Sequence, residues 1–273
     1  MTVVPPPTTR RFNWRTLVFT VVTVVAALMY GSTIRLVIAP WVLTGPQTGL
    51  QNPELDRWHD ALMGISTGVL TGGSLLALLW RPREKPLLLQ YLALATVAGV
   101  LLNAPFVGPF MFIIAVPIIL VIIAYPAPRA LLNFAREEHA SRLLLALSVV
   151  AALLLAPIIW HSFIWQVQGV GGQSATANEW IADVEHTLLL LLAGFMTSTK
   201  RPGWRPLGIL TGVTFLYLGI AALAVPHHAG SWGIIGGVLA LLGGVGYIAA
   251  TLFEARTTSM HAHRAVDTGL APR

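Results

Sequence analysis

Asp56-Arg57-Trp58-His59 stands at the mouth of one long apolar run, and Asp183-Val184-Glu185-His186 stands at the mouth of another. Residues three apart share a helix face, so each phrase turns a carboxylate and an imidazole the same way. Both pairs fall where an apolar helix meets water. An acid and an imidazole recurring at equivalent places divide the chain into two halves.

Around these phrases the composition is extreme. Of 273 residues, 55% are hydrophobic and only 10% charged, and the mean hydropathy is +0.73. Soluble domains carry roughly 25% charged residues, so the chain reads as an integral membrane protein with the lipid bilayer as its first partner. Eight apolar stretches follow one another, at about 16–39, 58–80, 86–104, 107–125, 142–166, 182–199, 205–225 and 231–253. Each is close to the ~20 residues that a spanning helix needs. The boundary between the third and fourth is soft, at Ala104-Pro105-Phe106. Residues 1–15 read as a disordered basic leader and 254–273 as a loose cytoplasmic tail. The first apolar run has no clear cleavage site after it and reads as a retained span.

The basic residues orient this arrangement. With eight alternating spans, only Arg35 and Arg57 of the 17 Lys and Arg residues fall away from the side that holds the leader. By the positive-inside rule both termini are cytoplasmic, in a multi-pass protein of the plasma membrane. The net charge of +6 therefore belongs to particular loops and does not point to nucleic acid. The absence of cysteine excludes disulfides, thiolate metal sites and cysteine nucleophiles. No phosphate loop, zincin motif or serine elbow appears, and no mid-span series of acids or lysines reads as an ion path.

The halves run in parallel. Each begins after a basic residue, crosses, makes an outer loop without lysine, re-enters through Asp-x-x-His and turns at Arg-Pro (Arg81-Pro82, Arg201-Pro202). Arg35 precedes Asp56 by the same distance, within one residue, as His161 precedes Asp183. The expected fold is all-α, with eight transmembrane helices in two pseudo-symmetric four-helix bundles, 16–128 and 142–253, joined by a cytoplasmic linker at 129–141.

Five histidines fall at the outer boundary: His59, His161, His186, His227 and His228. Ionisable groups at membrane depth are costly, and neutral imidazole is a common ligand of metals and haem iron. His59 and His186 are read as ligands with Asp56 and Asp183 as acid partners, or else as polar caps of helix ends. His227 and His228, in the turn between spans seven and eight, could complete a two-histidine site with His186, or simply face the interface. His161 is read as a donor to a propionate or metal, or as interfacial packing. Arg35, a cation on the disfavoured side, is expected to meet an acid of the outer loop or a cofactor carboxylate. Gly64, Gly68 and Gly72 form a small-residue stripe read as helix packing. The tryptophans are read as an outer aromatic belt.

The pattern resembles the heme A synthase family. Gly31-Ser32-Thr33-Ile34-Arg35 is similar to its Gly-x-x-x-Arg at the end of the first span. Asp56 to His59 and Asp183 to His186 resemble its Glu-x-x-His at the heads of the second and sixth. The resemblance implies a membrane oxidoreductase that oxidises a methyl group of haem O. Asp56 and His59 would be catalytic, and a b-type haem iron in the second bundle would be held by His186 with His228 or His227. Arg35 and His161 would sit by the cofactor. The chain departs from the family in lacking its cysteine pair, in Asp60 and Thr187 where arginine follows the histidine, and in having no histidine within spans four and eight. Two further readings stay open. One is a haem-free accessory or assembly subunit of a respiratory-type membrane complex or a homo-oligomer. The other is a copper or zinc site at the outer face built from His161, His186 and His228.

Overall fold

Helix is the form these apolar runs must take, because inside a bilayer every backbone N–H and C=O has to be satisfied within its own segment. The computed structural model describes residues 14–42, 53–132, 140–171 and 177–267, with only the backbone at 53–56, 110–111 and 258–267. Among the described residues there is helix and no strand. The elements are α1 (Trp14–Gly31), a 3₁₀ turn (Ser32–Ile34), α2 (Arg35–Val42), α3 (Pro53–Met63), a π-helical segment (Gly64–Thr71) and α4 (Gly72–Leu79). There follow α5 (Pro86–Val107), α6 (Phe110–Ala124), α7 (Pro128–Leu132), α8 (Arg142–Gln168), α9 (Glu179–Ser198), α10 (Trp204–Ala224) and α11 (Gly233–Asp267). Seven helical stretches are long and apolar enough to cross a membrane, and α6 is a shorter apolar helix. The chain is thus built as a multi-pass membrane protein.

Local chemistry fixes the breaks. Gly108 at φ +72° followed by Pro109 ends α5, so the soft boundary expected at Ala104 lies a few residues later, and Pro105 sits inside the helix. The Ser141 hydroxyl accepts the Leu144 N–H at 3.2 Å and caps α8, while Gly169 ends that helix at φ +68°. Pro86 opens α5 directly after Lys85, where a missing N–H costs nothing. One expectation changes: the tail read as loose from Glu254 is helical to Asp267. The leader up to Asn13, most of the 129–141 linker, and His139 lie outside the described residues.

Helix pairing gives two rings. In the first half α1 packs on α4 and α6, and α5 on α4 and α6; in the second, α8 packs on α9 and α11, and α10 on α9 and α11. The halves meet through α9 and α10, which lie against α3, the π segment, α4 and α5. Accordingly the spans at Arg57–Leu79, α5, α9 and α10 have 50–67% of their most apolar stretch buried, whereas α1–α2, α8 and α11 have 17–28%. The outer helices offer their apolar side chains to lipid. The glycine stripe of the second span does what was expected of it: a Cβ at Gly64 would lie 2.8 Å from the Leu36 carbonyl carbon, and at Gly68 2.8 Å from Ile34 N.

Two polar ends result. At one, Leu87 N donates to Pro202 O (3.1 Å), Tyr125 Oη to Pro82 O (2.7 Å) and Ser141 N to Ser198 O (2.8 Å), while Lys200 pairs with Glu254 (2.8 Å). The two Arg-Pro turns lie there. Burial lowers the pKa of Lys85 beside them, and its ammonium donates to the carbonyls of Ala77 (2.8 Å) and Trp80 (2.6 Å), ending α4. At the other end Trp41 Nε1 donates to Tyr217 Oη (3.0 Å), Trp58 packs edge-on to Trp232, and the outer-boundary histidines gather.

Candidate functional site

His59 leaves α3 one residue after the fully buried Trp58 and is itself 8% exposed. Its Nδ1 lies 2.7 Å from Asp183 Oδ1 and its Nε2 3.4 Å from Glu179 Oε2, both on α9. The acid that holds His59 is therefore the one from the other phrase. Glu179 and Asp183 are four apart on one helix face, which is why one ring can meet both. The side chain of Asp56 lies outside the described residues. Trp180 stands edge-on to His59 with centroids 5.2 Å apart, and His228 does the same from the opposite turn at 5.1 Å. That turn comes so close that a Cβ at Gly230 would fall 2.6 Å from Asp183 Oδ2. His228 accepts the Gly230 N–H at its Nδ1 (3.1 Å), which ties that nitrogen to its own turn.

The remaining candidates scatter. His161 is exposed and stacks on Trp165 at 5.7 Å, and Trp165 in turn meets Trp180. His227 and Arg35 are exposed, and Arg35 is near enough to Asp60 to act on it electrostatically. The acids Glu54 and Asp56 expected to hold Arg35 lie outside the described side chains.

His186 belongs elsewhere. It is buried, its Nδ1 has no hydrogen-bond partner among the described residues, and it lines a cavity of 360 Å³ inside the first ring. That cavity is walled by α1, the π segment, α5, α6 and α9, and it is partly open. Beside His186 the neighbouring acid Glu185 enters it, where Asn103 Nδ2 donates to Glu185 Oε2 at 2.7 Å. A Cβ on Gly99 would overlap Glu185 Oε1, so α5 keeps a glycine where the carboxylate passes. Tyr30, Thr67, Thr71 and Thr96 add hydroxyls to the lining. Six residues into α9, Glu185 stands about 9 Å along the helix from its start. The sequence reading passed over Glu185 as a spacer between Asp183 and His186. The signal was present: an acid at the head of an apolar run is a site by default when it faces the interior.

A haem with two axial histidines does not fit these residues. His186 and His228 serve different places, and the α6 wall of the cavity offers Ile114, Ala115 and Ile118. Arg35 does not line the cavity, and among the described residues its formal charge is that of another carboxylate, Glu185. The three-histidine copper or zinc site is not assembled either: among the described residues no three His, Asp or Glu side chains form a group that could hold a metal ion. Compared with known proteins, the chain matches no family model, no curated protein and no solved structure. The likeness to the heme A synthase family rests on its short motifs.

Proposed function

We propose that the chain is a solute-binding protein of the plasma membrane, with eight spans in two pseudo-symmetric four-helix bundles and both termini cytoplasmic, whose site is the cavity of the first bundle. One observation carries the reading. Glu185 is delivered from the second half to the cavity of the first and held there by Asn103, beside a His186 ring whose Nδ1 has no hydrogen-bond partner among the described residues. An acid within a spanning helix is costly, by up to about 2.5–3.5 kcal/mol on insertion scales where it stands at the helix centre. Packing alone would be served by leucine, so the cost is met by what the acid binds. A cavity of 360 Å³ lies in the range of small-molecule sites, which run roughly 300–1,000 Å³. The His59, Asp183 and Glu179 cluster joins the halves above it.

The absence of native cysteine allows a direct test. Thr96 faces the cavity, while the adjacent Val97 is 56% exposed on the outer side of α5. Water-soluble methanethiosulfonates attack ionised thiols, so Thr96→Cys in the native membrane should be modified far faster than Val97→Cys. Equal, slow reaction at both would mean that the cavity is closed to water, and the reading would fall. An absorption spectrum of the same purified protein tests the haem oxidation implied by the resemblance. A reduced Soret band lost in His186→Ala would restore the haem site and displace the solute.

A further inference from the structure

Resting on that reading, the unused hydrogen-bonding capacity of the cavity names the ligand. Several donors in its wall are spent. Tyr30 Oη donates to Ile114 O at 2.6 Å, Thr96 Oγ1 to Leu92 O at 2.8 Å, and Asn103 Nδ2 to both Gly99 O (3.0 Å) and Glu185 Oε2 (2.7 Å). Both partners of that amide nitrogen are acceptors, which fixes the orientation of the amide and leaves Oδ1 as the free atom. What these groups can still offer is lone pairs: the Tyr30 and Thr96 oxygens, Asn103 Oδ1 and the carboxylate of Glu185. Among the described residues no lysine or arginine lines the cavity. The charge described in its wall is the Glu185 carboxylate, beside the His186 imidazole, and most of the remaining lining is aliphatic.

A carboxylate set among these acceptors calls for a ligand that donates and carries a positive charge. We infer that the cavity takes a small organic cation, a primary or secondary ammonium on an apolar body, with Glu185 as its counter-ion. Such a ligand carries two or three N–H donors for the acceptors at the Glu185 end and an alkyl or aryl portion for Leu92, Val100, Ile114 and Ile118. A neutral alcohol supplies one donor and no charge. A carboxylate would meet Glu185 as a like charge.

The test uses the full chain in lipid nanodiscs and three matched series, the ammonium, the alcohol and the carboxylate of propyl, hexyl and phenethyl frames, with binding followed by calorimetry. A hydrogen bond to a charged group exceeds a neutral one by enough to predict that the best ammonium binds about tenfold tighter than its alcohol. In Glu185→Gln, which keeps an acceptor for Asn103, that preference should shrink to about twofold or less. Ala115→Leu, which fills the cavity from α6, should weaken every series. Alcohols or carboxylates binding as well as the ammoniums, with loss in Ala115→Leu, would overturn the cation while leaving a solute site. Binding of none of the series, or binding indifferent to both variants, would overturn the cation and the cavity site together. Helical circular dichroism and monodisperse elution of each variant separate these outcomes from misfolding.

Discussion

The pair formed by His59 and Asp183 is the point at which single residues hold the two halves together. Both side chains are nearly removed from solvent, and the second oxygen of Asp183 has no hydrogen-bond partner among the described residues. Truncating one member of such a buried pair strands the other, which costs about 3–5 kcal/mol. His59→Ala and Asp183→Ala should each show a loss of that order in reversible unfolding in mixed micelles. The double variant should lose distinctly less than the sum, because contacting residues couple. Strict additivity would mean that the two do not interact in the membrane. The sequence made both residues visible and hid their pairing. The three-residue spacing on a helix offers Asp56 to His59 and Asp183 to His186, whereas the contact that forms depends on which face of α9 meets α3. The same blindness passed over Glu185. At 100° per residue, Ala182, Glu185 and Leu189 share one face of α9 and Glu179 and Asp183 the next, with His186 at the border, and only tertiary packing says that the first face looks into a cavity.

Among the elements, α10 and α11 approach each other closely. Gly219 and Gly237 bring backbone against backbone, and a Cβ at Gly219 would lie 2.8 Å from Gly237 O, with Leu241 N at 2.9 Å. Gly243, on the same helix as Gly237, has nothing within 4 Å of where its Cβ would stand. The two therefore predict opposite signs. Gly219→Ala has to part the helices and should destabilise by about 1–3 kcal/mol, the range for overpacking. Gly243→Ala gains helix propensity without a clash and should stabilise by up to about 1 kcal/mol. Unfolding midpoints of the two variants check both, and loss of stability in each would mean that α11 packs differently. Small-residue stripes of this kind are legible from spacing. The π segment at Gly64–Thr71 is not, because the shift from four-residue to five-residue bonding leaves no mark in a hydrophobic pattern. It carries Thr67 and Thr71 into the cavity wall below His59.

The whole molecule turns on α6, the element whose status decides how many times the chain crosses. Its 15 residues rise about 22 Å, short of a hydrocarbon core of about 30 Å. Yet its two ends belong to opposite ends of the protein. Tyr30 donates to Ile114 near its start, and Tyr125, just past its end, contacts both Phe19 and the Arg-Pro turn at Pro82. It therefore runs antiparallel to α1 from one polar end to the other, and a bilayer that thins beside it would complete an eighth span. Arg83 and His227 make this measurable, since α5, α6, α8, α9 and α10 lie between them. With α6 spanning, the count between them is odd and the two residues face opposite compartments; without it, they face the same one. In intact cells, a membrane-impermeant charged maleimide should label His227→Cys at once and Arg83→Cys only after permeabilisation. Labelling of both from outside, or of neither, would remove α6 from the count of spans and place the C-terminal helix end opposite the leader. Labelling of Arg83→Cys alone would keep eight spans and invert the protein, leaving the basic turns outside against the charge rule that oriented them.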